Sequence, residues 1–86
     1  MKSVIQLRKA LNQKFPKQFE LDVGAGDFVL LTIISAQFQG KTRSGRLQQV
    51  EPLIYEAGLI PGIIELYTPE EAANDGIVIQ TTTENT

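Results

Sequence analysis

The sequence predicts a small single α+β domain in the order α-β-β-α-β-α, with a three-stranded mixed sheet and helices on one face. Three observations carry that prediction. A chain of 86 residues has material for one core only, because at this size just about 60% of the unfolded surface is buried. Apolar residues recur at helical spacing in two segments and alternate or run together in three others. Finally, a hairpin followed by a strand-helix-strand crossover buries both helical stripes only if the helices share one sheet face. The domain is expected over residues 1–80, with "TTTENT" at 81–86 as a frayed tail.

Ser3 precedes Val4, Ile5, Leu7 and Leu11, an apolar helical stripe, and Gln6 stands where a capping box wants Glu or Gln. This helix runs to about Phe15, where Pro16 stops it. "QFELDV" alternates, with Phe19, Leu21 and Val23 on one face and Gln18, Glu20 and Asp22 on the other. "GAGD" is a tight turn, and "FVLLTIISA" is so continuously apolar and β-branched that it predicts a central strand with little exposure. Leu47, Val50, Leu53, Ile54 and Ala57 mark a second helix, with Ser44 as its candidate cap and Gly58 as its stop. Pro52 falls inside that pattern. A proline there costs about 3 kcal/mol, so a kink or a fresh helix start is expected at that point. "GIIELYT" reads as the third strand, and "TPEEAANDG" as a short helix with Thr68 as cap, Pro69 first, Glu71 closing a capping box and Gly76 ending it. "IVIQ" is a candidate edge strand.

The composition excludes several chemistries. With no cysteine and no histidine, the chain offers no disulfide, no thiolate or imidazole metal ligand, and no side chain with an ordinary pKa near neutrality. Ser3, Ser35 and Ser44 lack a histidine to activate them, so no enzyme is expected. "GAGDF" lacks the third glycine and the following helix of a dinucleotide fingerprint, and a hairpin turn explains it better. Glu70 and Glu71 are explained by capping rather than by a hard cation, and Tyr55 and Tyr67 as core or rim residues rather than base-stacking platforms. No cofactor is predicted. The N-terminal sequence does not read as a leader, and the longest apolar stretch is far below the roughly 20 residues of a membrane span, so a soluble, cytoplasmic chain is expected.

Charge is distributed unevenly. All eight basic residues lie within positions 1–46 beside three acids, a net of +5, whereas the remaining forty carry −7. The densest cluster is "GKTRSGR", in which Gly40 and Gly45 let backbone amides approach an anion while Lys41, Arg43 and Arg46 supply charge near a helix start. These five residues are the candidate partner or anion site. The competing explanation is a solvated turn.

The stretch "FVLLTIISAQFQGKTRSGRLQQVEPLIYEAGL" with "GIIELYTPEEA" resembles the BolA-like family over about residues 4 to 73. Its pattern is a strand ending in Ser-x-x-Phe-x-Gly-Lys, a helix, and a strand closing on Thr-Pro-Glu-Glu. Ser35, Phe38, Gly40, Lys41, Arg46, Val50, Thr68, Pro69, Glu70 and Glu71 match it. The resemblance implies a KH-like fold and, as partner, a monothiol glutaredoxin that shares an iron–sulfur cluster. Two departures stand out. Leu47 occupies the place of the family's histidine ligand, and the loop that carries a second ligand in some members is cut to Gly24, Ala25 and Gly26. The chain therefore reads as a divergent member acting without a cluster, as an interaction or regulatory module that meets a protein through the Gly40–Arg46 loop and the following helix. The alternative is a weak, transcription-related nucleic-acid binder using the same basic loop. Against it, no Gly-x-x-Gly tetrad occurs, since Gly40 and Gly45 are five apart.

Overall fold

The first helix opens at the cap the sequence marks in the computed structural model, which describes residues 3–79. Ser3 Oγ accepts from Gln6 N at 2.9 Å and opens helix α1, Val4–Lys14. Phe15 caps its end, and Gln37 Nε2 donates to the freed Lys14 carbonyl at 2.7 Å. Strand β1, Phe19–Val23, passes through a glycine-bearing turn into β2, Phe28–Ile34. Gly26 takes φ +80 there, a conformation that any Cβ would strain. A single 3-10 turn at Ala36–Phe38 leads to α2, Arg43–Glu56, then β3, Ile60–Tyr67, and α3, Pro69–Asp75.

The sheet order is β1-β2-β3, with β1 antiparallel and β3 parallel to β2, so β2 is central as the sequence predicts. Phe19 pairs with Ile33, Leu21 with Leu31 and Val23 with Val29, while Ile64 and Leu66 of β3 align with Leu31 and Ile33. That register puts one apolar row from each strand on the same face. Leu7 and Leu11 of α1 and Val50 and Ile54 of α2 close over that face in one buried cluster. Ser3 N donates to the Ala57 carbonyl at 2.8 Å, tying the start of α1 to the end of α2.

Several expectations are corrected. The predicted low exposure of the central strand holds on one face only: Phe28 is 48% and Leu30 39% exposed, because no helix among the described residues covers the outer face. Val4 and Ile5 of the predicted α1 stripe are exposed, since only Leu7 and Leu11 point at the sheet. The cap of α2 is Thr42 rather than Ser44, its hydroxyl accepting from Gly45 N at 3.1 Å. The helix runs unbroken through Pro52, whose ring lies on an exposed position. Lys14 Nζ donates to the Gln49 carbonyl of this helix at 3.2 Å. Strand β3 begins two residues before the predicted GIIELYT, and a bulge between Val29 and Leu30 accommodates Gly62. A Cβ on Gly62 would lie 2.8 Å from the Val29 carbonyl oxygen, so the two strands approach this closely only because the position is glycine. Ile77 to Ile79 form no strand; Gln80 and the predicted tail lie outside the described residues. No helix among the described residues is long and apolar enough to cross a membrane.

Candidate functional site

The motif that opens the candidate site is built from the core outward. Ser35, almost fully buried, donates its amide to the Tyr67 carbonyl at 2.9 Å and accepts from Gln37 N at 3.1 Å. Phe38 is wholly buried, its ring centroid 5.3 Å from that of Phe15. Gly40 then turns the chain with φ +76, and Thr42 caps α2. Gly40, Lys41 and Arg43 are exposed at this corner, and Gly45 sits in the first turn of the helix with its amide held by Thr42.

Arg46 behaves differently from its basic neighbours. Its side chain is only 13% exposed, and its guanidinium forms a two-pronged pair with Glu71 at 2.7 and 3.0 Å. The same group donates to the Leu66 carbonyl at 3.0 Å and to the Lys41 carbonyl at 3.1 Å, and lies 5.9 Å from the Phe38 ring centre. Glu71 is in turn the capping residue of α3, accepting from Thr68 N at 3.0 Å while Thr68 Oγ1 accepts from Glu71 N. One arginine thus joins the loop before α2, the end of β3 and the first turn of α3. Hydrogen bonds from Arg46 first, and then from the Thr68 amide, pull the Glu71 carboxyl down to about 2. The same pairing raises Arg46 above its usual value, against the opposing effect of burial.

The structure therefore divides the five residues singled out in the sequence. Lys41 and Arg43 project into an open cleft and have no hydrogen-bond or ion-pair partner for their side chains among the described residues. Arg46 lines the same cleft with its donors already engaged. The opposite wall carries Tyr67, Glu71 and Asp75, which spacing along the chain does not associate with the loop. Tyr67 is raised above the ordinary phenol value, by partial burial first and then by Glu65 and Asp75, with Arg43 acting the other way. The cleft is thus mixed in charge. Leu47 is half-buried and packs against the core. No cluster of three or more potential metal ligands occurs among the described residues. Comparison of the chain with protein-family models, curated proteins and solved structures yields no match.

Proposed function

We propose that this protein is a BolA-like, non-enzymatic interaction module that works without an iron–sulfur cluster and meets a protein partner through the Gly40–Arg46 loop and α2. The observation that carries this reading is the different use of three neighbouring cations. Arg46 spends its donors holding the corner together, whereas Lys41 and Arg43 stand exposed on the frame it fixes. A loop whose backbone is already fixed loses little main-chain freedom on binding.

The wall of the cleft favours a protein over a nucleic acid. A phosphate backbone laid against Lys41 and Arg43 would also meet Glu71 and Asp75, whereas a folded surface can present both signs. A chain with neither histidine nor cysteine supplies none of the usual cluster ligands, so the partner is met without one.

The test is an NMR titration of the labelled protein with a metal-free monothiol glutaredoxin, and separately with a single-stranded oligonucleotide. The expected result is a set of shifts in residues 40–46 and along α2 on adding the glutaredoxin, lost in the double variant Lys41→Gln, Arg43→Gln. That variant should keep its stability within about 0.5 kcal/mol, as exposed loop charges do. Binding of the oligonucleotide alone, with an affinity falling steeply in salt, would replace this reading by the nucleic-acid one.

A further inference from the structure

Two exposed apolar surfaces lie on opposite sides of the molecule. On the outer sheet face, Leu30 and Ile63 are 39% and 62% exposed and form one row with Asp22 across the three strands. The next outward row is Glu20, Thr32 and Glu65. An open depression there is lined by Glu20, Asp22, Leu30, Thr32 and Ile63. On the helix side, Ile5 of α1 is 73% exposed, and the exposed Lys9 stands one turn further on.

Charge divides the same two surfaces. The three strands contain no basic residue, and α1 contains no acidic one. Neither Glu20 nor Lys9 has a hydrogen-bond or ion-pair partner for its side chain among the described residues. Their spacing agrees as well. Ile5 and Lys9 are four residues apart, about 6 Å along a helix, and successive outward rows of a sheet are about 6.5 Å apart.

We infer that the outer sheet face of one copy of this chain receives α1 of a second copy, with Ile5 set on Leu30 and Ile63 and Lys9 on the row of Glu20 and Glu65. The docked helix runs parallel to β2 and β3, and Arg8 adds positive charge at its flank. The chain itself thus carries the complement of its own outer face. Two outer faces laid together would oppose acids with acids, and nucleic acid or an anionic lipid surface would meet the same repulsion. Lys41 and Arg43 share their cleft with Glu71 and Asp75, and α2 carries Glu51 and Glu56, so among the helices only α1 offers bases without acids. Because the two surfaces differ, the contact is head-to-tail and adds copy upon copy. The loop at residues 40–46 takes no part in it, so this contact is independent of the proposed function.

The test is sedimentation velocity on the whole chain at low salt, from about 10 µM to about 1 mM. The expected mass rises with concentration past that of a dimer and falls as salt is added. Two double variants at exposed positions separate the halves of the contact: Ile5→Gln with Lys9→Gln on the helix, and Asp22→Asn with Ile63→Thr on the sheet. Each alone should associate roughly tenfold more weakly, with its thermal unfolding checked to show that it is folded. Mixed in equal amounts, they should form dimers that grow no further, because each variant keeps one intact half. A monomer at every concentration up to about 1 mM would overturn the inference. So would a closed dimer that the helix variant leaves intact, or a mixture that associates no better than either variant alone.

Discussion

The two faces of β2 come from one apolar run and meet opposite environments. Val29, Leu31 and Ile33 are buried under α1 and α2, while Phe28 and Leu30, placed between them in sequence, stand open to solvent. In a strand, successive side chains alternate between faces, so burial is decided by what lies across each face and not by how apolar the strand is. Two helices cover one side of this sheet. On the outer side Phe28 and Leu30 are flanked by Ile60 and Ile63 and by the acids Glu20, Asp22 and Glu65. An apolar run in a small domain is therefore no proof of a doubly covered strand. An uncovered apolar row of this kind is one mark of an interaction surface.

The largest expected effect comes from truncating the covered face. Ile33→Ala should cost about 2 to 5 kcal/mol in denaturant unfolding, through lost burial and the cavity left behind. Leu30→Thr, on the other face, should stay within about 1 kcal/mol. Comparable losses for both would show that something covers the outer face in the free protein, and the contrast between the faces would disappear.

Leu47 lies between these extremes. Half-buried against the core, it should cost about 1 kcal/mol when changed to histidine, because part of its apolar surface is already wet and the ring can turn its nitrogens outward. A loss as large as that of Ile33→Ala would place it fully inside. No loss at all would place it with Leu30.

The smallest expected effect is electrostatic. The carboxyl of Glu71 is held at about 2, below its ordinary 4.5, so its contribution to stability is complete above about pH 4.5 and disappears as pH falls toward 2. Wild type and Glu71→Gln should differ in thermal midpoint at neutral pH and converge as the pH falls through that window. Arg46→Gln should lower the midpoint further and keep part of its deficit at low pH, since it also removes the bonds to the Leu66 and Lys41 carbonyls. A Glu71→Gln difference that persists at low pH would mean that Glu71 holds the corner by capping α3 rather than by its charge.

Much of this architecture is legible in the chain because its signals are local. Ser3 and Thr68 cap the helices they precede, Gly76 ends α3 with φ +69, and alternation in Phe19–Val23 marks a half-buried strand. The second helix shows where local reading weakens. Thr42 and Ser44 are both chemically fit to cap it, and only the path of the backbone after Gly40 selects Thr42. Pro52 likewise carries a real local penalty, yet tertiary packing of Val50 and Ile54 on the sheet holds the helix together across it.

The sequence by itself determined the order and kinds of the three helices and three strands and the central place of β2. Only the tertiary structure decided which cations are free. Arg43 and Arg46 are indistinguishable in composition and sit one helical turn apart, but Arg46 meets partners 20 and 25 residues away, at Leu66 and Glu71. Which side of the sheet is covered was decided at the same level. Pairing across such separations depends on how strands and helices are brought together in space, and neither periodicity nor capping chemistry encodes that distance.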